Sequence, residues 1–277
     1  NTGASHFDLR QGFVEVTGCA GGPLSFTIGR QALIYGNERL LGAIDWHPYG
    51  QTFDAGVLRL SGGDFRFDAI GAAVTRNPVT TDYTRDVFLA GGWAEWTPAE
   101  RRYTVQAFLL YDNPHGELLR QNRITSGIHT GGHAGNLDFE LDAALQTGDF
   151  IPLEGNAGNR DINAHMIGVR LGYSFPELAK LRIGAGYDRL SGQDPDNDAS
   201  TYGSFHTLYA TNHKFYGHMD YFLDLPMHTN RLGLQDILVQ IRAVPIDALT
   251  LGADIHLFST AVDPAKWGCL LYTSPSP

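Results

Sequence analysis

Over residues 136–146, NLDFELDAALQ, apolar side chains alternate with polar ones. Leu137, Phe139, Leu141, Ala143 and Leu145 fall on one face, and Asn136, Asp138, Glu140, Asp142 and Gln146 on the other. Side chains in a strand point to opposite faces with period two, so this stretch is a strand with one greasy and one wet side. Its recurrence constrains the chain more than anything else in it. Residues 24–31, 52–61, 64–75, 86–96, 102–111, 123–132, 164–174, 180–190, 234–244 and 249–258 repeat the pattern, and 7–16 does so loosely. In 102–111 the apolar face is Tyr103, Val105, Ala107, Leu109 and Tyr111, with a tyrosine at each end.

These runs are nearer 9–11 residues than the roughly 5–6 of a soluble sandwich strand, and about 9–11 is what a tilted strand needs to cross a bilayer. No fixed-period repeat supports a solenoid. The connections also alternate in length. Short turns lie at 17–23, 62–63, 97–101, 133–135, 175–179 and 245–248, and longer loops at 32–51, 76–85, 112–122, 147–163 and 191–233. Residues 215–225 pass for a strand but would break that alternation, so they belong to the longest loop. A connection of that length is expected to fold inward as a plug or lid. The expected fold is an all-β, antiparallel transmembrane β-barrel with short periplasmic turns and long extracellular loops, in the outer membrane of a Gram-negative bacterium.

Composition narrows the partners. The formal charge is −10 and no basic cluster occurs, which disfavours nucleic acid as a partner, and none is expected. No run of eighteen apolar residues exists, so no transmembrane helix is expected, whereas a barrel strand needs only half that hydrophobicity. Cys19 and Cys269 make neither a metal set nor a disulfide framework, and no cofactor is expected. There is no initiator Met and no signal peptide. Residues 269–277, CLLYTSPSP, read like translated sequencing adapter. The barrel is therefore assigned to 1–266, with 267–277 as a non-native tail.

Two stretches carry a resemblance. FVEV followed by LSFTIGRQALIYGNERLLGAIDW spans 13–46, and GAGYDRLSGQDP followed by FHTLYATNHKFYGHMDYF spans 184–222. In combination they resemble the alginate-export family of outer-membrane β-barrels, in which a GRQ strand leads into an acid/Arg loop and a DW turn. The resemblance implies a passive barrel of about 16–18 strands, of which this chain holds about twelve and is incomplete at both ends. Such a piece alone cannot close and would not form a functional pore. The implied activity is passage of a polysaccharide or other polar solute through a water-filled lumen, with outer-membrane lipid outside and periplasmic export or assembly proteins as partners. The alternative on the same scaffold is a general or solute-selective porin.

Strand parity gives the expected pore lining: Arg66, Arg102, Arg170, Arg182 and Arg242 against Asp68, Asp138, Glu140, Asp142, Asp188 and Asp254. Five positive and six negative charges are no single-sign ring, which argues against a polyanion as cargo. Arg30, Arg39 and Asp45, in and after GRQ, either line a constriction or form an ion-pair network holding the long loop to the wall. Asn212, His213 and Lys214 in TNHKFYG either gate the pore or pack the loop, with Phe215 and Tyr216 as anchors. Asp194, Asp196 and Asp198 resemble the start of a calcium loop but lack its glycine and final glutamate. His129 and His133 have zinc-pair spacing only on a helix, which their glycines oppose. No GxSxG or HExxH motif is present, so no catalytic set is expected.

Overall fold

The computed structural model describes residues 9–48, 50–74, 87–100, 102–114, 119–152, 158–196 and 199–267. Residues 7, 8, 75 and 86, expected at strand ends, together with Asp198 and residues 268–277, lie outside these. All twelve expected strands form: β1 (Gly12–Val16), β2 (Leu24–Gln31), β3 (Phe53–Gly62), β4 (Phe65–Val74), β5 (Val87–Trp96), β6 (Tyr103–Asp112), β7 (Leu119–Ala134), β8 (Leu137–Pro152), β9 (Arg160–Phe175), β10 (Leu181–Leu190), β12 (Leu234–Ile246) and β13 (Leu249–Ser259). Each of these pairs with its neighbour in one antiparallel sheet that runs from edge β1 to edge β13. A two-residue strand, β11 (Thr201–Tyr202), pairs in parallel with β9 from within the longest loop.

Three strands exceed the expected lengths by five or six residues. β7, β8 and β9 each run sixteen residues, about 50 Å at a strand's rise per residue and longer than a bilayer requires. Beyond Gln146 the apolar alternation fades, but the backbone ladder continues through Thr147 opposite Asn163 and Asp149 opposite Asp161. Hydropathy marks where lipid ends, whereas hydrogen bonding decides where the strand ends. At the other rim the hairpins are tight. Gly63 (φ 58°) turns β3 into β4, and Gly135 (φ 62°) turns β7 into β8.

Outward-facing residues form an exposed apolar band bordered by aromatics. Phe65, Trp96 and Tyr103 sit together at the short-turn rim, with ring centroids 6.3 and 5.8 Å apart, and Tyr173 and Phe175 continue that girdle. Phe88, Tyr111 and Tyr187 border the other side. Among the described residues no helix is long and apolar enough to cross a membrane; the strands make the wall.

The inward face differs from a uniformly wet lumen. Phe53, Ala55, Val57, Ile70, Ala72, Val74, Val87, Leu89 and Leu110 point inward on the long-loop half of the wall and are buried. What buries them is the two long loops. From residues 32–52 come Leu33, Tyr35, Leu40 and Leu41, and from residues 191–233 come Phe205, Leu208, Tyr209, Phe215, Tyr216 and Leu225, all in one core. The loops also pair through their backbones, Gly42 N–H donating to Tyr209 O and Tyr209 N–H to Leu40 O, both at 2.9 Å. The segment 215–225 is loop as expected, with a helical turn at Asn212–Lys214 and a four-residue helix, α1 (Leu225–His228), capped by Asp224.

Candidate pore interior

Below that apolar layer, the inward positions carry charge, and register sets who meets whom. Arg59 forks onto Asp68 with two bonds at 2.7 and 2.8 Å, and Tyr35 donates to the same carboxylate at 2.9 Å. Burial first, and then Asp68, push the Tyr35 phenol well above its usual range, so it remains a donor. Arg66 reaches Glu95 at 3.1 Å, which also accepts from Gln106 at 2.9 Å. Arg182 forks onto Asp138, Arg170 bridges Asp188 at 2.9 Å and Glu140 at 3.4 Å, and Arg242 lies 3.7 Å from Asp254. Higher up, Arg123 and Asp112 form a buried fork at 2.6 and 3.0 Å. Paired charges of this kind present little net field to a passing solute.

The most connected residue is Arg39, brought in by the loop after β2 and only 2% exposed. Its Nε donates to Asp142 at 3.1 Å, its Nη1 lies 3.1 Å from Asp188 and donates to the Tyr216 hydroxyl at 3.1 Å, and Phe215 lies under it at 4.1 Å. Asp142 also meets His129 at 2.8 Å and, with Glu140, accepts from Asn37 at 2.8 Å. Burial works against the guanidinium charge, but Asp188, Tyr216 and Asp142 outweigh it and hold Arg39 above even the usual arginine range. Burial raises the Tyr216 phenol although Arg39 opposes it. Gly168 makes room for this cluster: a methyl group there would sit 2.5 Å from Asp188 Oδ1 and 3.2 Å from Arg39 Nη2.

Several residues singled out in the sequence stand elsewhere. Arg30 lies on the outward face of β2, forked onto Asp54 at 2.8 and 2.9 Å. Parity with outward Ile28 predicts this, whereas the GRQ motif does not. Arg102 sits in the turn before β6, largely exposed and paired with Glu100, at the rim rather than on the wall. Asp45 is an exposed loop residue bonded to Arg10. Asn212 is buried, donating to Thr207 and to Leu223 O at 2.9 Å. His213 bonds Asp220 at 2.6 Å and His218 at 2.9 Å. Lys214 clamps Asn37 O and Glu38 at 3.1 and 3.4 Å. Parity applied to every strand would have added Arg59, Glu95, Asp112, Arg123, Asp236 and His256 to the inward set.

The metal hypotheses find no site. Among the described residues no three His, Cys, Asp or Glu side chains gather as ligands. Lys266 occupies the acidic loop instead, 3.0 Å from Asp194 and 2.6 Å from Asp196. His129 is engaged with Asp142 on β8, and on a strand it cannot act with His133 as a helical zinc pair would. His213 gives its second nitrogen to another imidazole rather than to a nucleophile.

The sequence profile described as Alginate export matches residues 1–269. No curated protein matches significantly. Among solved structures, OccK8 (OprE) of Pseudomonas aeruginosa is similar at 13% identity and a TM-score of 0.43, over 86% of this chain and 68% of that one. OccD3 (OpdP) of the same organism is similar at 12% identity and a TM-score of 0.35, over 86% and 70%. A lipid-facing band outside and a paired polar lining inside are the arrangement of a channel wall. The chain belongs to the alginate-export family and is an outer-membrane β-barrel channel for passive passage of polysaccharide or other polar solute in a Gram-negative bacterium.

Proposed function

We propose that the channel passes polar solutes and saccharides without a strong preference for anions. The observation that carries this is the pairing of the inward arginines: Arg59, Arg66, Arg123, Arg170, Arg182 and Arg242 each face a carboxylate. A route dedicated to a polyanion needs uncompensated positive charge along its wall. In this reading Arg39 anchors the loops and does not touch solute. The test is the current through the full-length protein in planar bilayers under a salt gradient. A reversal potential near zero is expected, with neutral oligosaccharides interrupting the current as readily as oligomannuronates. Strong anion selectivity together with block by oligomannuronate alone would overturn the proposal.

A further inference from the structure

Most of the outward wall carries exposed leucine, isoleucine, valine or aromatic side chains, but along the seam between β5 and β6 the surface recedes. Ala90, Gly92 and Ala94 face out on β5, opposite Tyr111, Leu109 and Ala107 on β6. With Phe67 on β4 and Ile124 on β7 they bound an open groove of about 750 Å³. Its floor is backbone and methyl groups. One ridge is Phe67, whose ring lies across Gly92, where a methyl group would meet it at 3.1 Å. The other is Leu109, Tyr111 and Ile124, all exposed.

Depth and surroundings decide what fills this groove. Ala107 lies midway between Tyr103 and Tyr111, the two ends of the outward face of β6. From that midpoint to the Tyr111 girdle is four residues, about 13 Å along the strand and less in depth because barrel strands tilt. The groove therefore stays within one leaflet, about half of a hydrocarbon core roughly 30 Å thick. It lies on the long-loop side, so that leaflet is the outer one. The groove is continuous with the lipid-facing band, and hydrocarbon is what it meets. A second copy of this wall would rest on the ridges and leave the floor empty, forfeiting dispersion contacts. An acyl chain can follow the floor and recover them. Because that floor is a hydrogen-bonded ladder, the protein loses little entropy in holding the chain.

A charged residue stands above the open end. Arg120 shares the outward face of β7 with Ile124, four residues nearer the loops. That is again about 13 Å along the strand, which carries it past the aromatic girdle to the level of the headgroups. It is exposed, and among the described residues no carboxylate pairs with it. Asp149, opposite Asn122 on the same face, does not reach it. A guanidinium at that level suits a phosphate, to which its planar fork can give two hydrogen bonds. We propose that the β5–β6 groove seats one acyl chain of an anionic, phosphate-bearing lipid of the outer leaflet, with Arg120 holding the phosphate. The site is on the outside of the wall and is independent of what the lumen passes.

The experiment is native mass spectrometry of the delipidated full-length protein in an uncharged detergent, titrated with diphosphoryl lipid A. One adduct is expected to form well before any others. Filling the groove with Ala90→Leu and Ala107→Leu together should weaken that first adduct about tenfold or more, or ~1.4 kcal/mol. Ala185→Leu, which adds the same bulk on the outward face of β10, should leave it unchanged. Arg120→Gln should weaken it about fivefold, or ~1 kcal/mol. Should the double variant fail to fold, Ala107→Leu alone takes its place. A ladder of equally weak adducts, or a first adduct indifferent to groove filling or to Arg120→Gln, overturns the proposal. Equal loss in Ala185→Leu does the same. So does a wild-type dimer that groove filling dissolves, which would put a second copy where the lipid is expected.

Discussion

Arg39 shows how one side chain organises the interior. It is the only cation touching both Asp142 and Asp188 in the network described above, and all three are nearly inaccessible to solvent. Removing one partner of a buried ion cluster leaves charges that neither water nor protein compensates, a loss of about 3–5 kcal/mol. Arg39→Ala is therefore expected to lower the free energy of unfolding, measured by urea titration, by that margin in the refolded full-length protein, and the urea midpoint with it. It should also raise single-channel conductance as the loops lose their anchor. Arg39→Lys should recover only part of either effect, because an ammonium cannot present the planar fork that spans Asp142, Asp188 and the Phe215 ring. A midpoint unchanged in Arg39→Ala would show that the apolar core alone seats the loops.

At the scale of elements, the longest loop is tied down at more than one point. One tie is the Lys266 ammonium, in the helical turn Pro264–Trp267, between Asp194 and Asp196. The backbone N–H of Asp196 and then Lys266 hold the Asp194 carboxyl below its usual range, while Asp196 and Asp194 hold Lys266 above its own. The depressed carboxylate favours the tie above pH of about 4 and loses that favour as pH falls through its lowered value; the raised ammonium favours it below about 10.5 and loses it as pH rises further. Proteolysis next to residues 264–267 should accordingly be slowest between those limits and accelerate on both sides. A flat profile would mean that the tie is not made. This loop also marks where sequence periodicity stops being informative. Parity located all twelve wall strands, because each side chain's direction follows from its neighbours two residues away. Arg39 and Asp142 are 103 residues apart, and Tyr216 is 177 from Arg39, so no local pattern brings them together. The GRQ motif misdirected Arg30 for the opposite reason, since a motif was followed where parity already pointed outward.

For the molecule as a whole, the two faces of the wall are both apolar in places, yet for different reasons. On β6, Tyr103 and Tyr111 stand about 27 Å apart along the strand, with Val105, Ala107 and Leu109 between them facing out. Leu110, one residue on, faces the loop core and is 1% exposed. Thr104 faces inward near the short-turn rim, opposite Gly131. Three arginine substitutions separate these environments. Leu109→Arg should cost about 1–2 kcal/mol in the complete barrel, since it places a charge in the hydrocarbon between the midplane and the Tyr111 girdle. Thr104→Arg should be nearly silent, because it enters the polar part of the interior. Leu110→Arg tests whether the upper interior is filled. In a water-filled lumen it would be as harmless as Thr104→Arg, but against Phe205, Tyr209 and the other loop residues it buries an unpaired charge and should destabilise at least as much as Leu109→Arg. Folding equilibria in detergent or bilayer, read by tryptophan fluorescence, give all three values. A silent Leu110→Arg would empty the interior of its plug, and equal costs at Leu109 and Thr104 would reverse the faces of the wall.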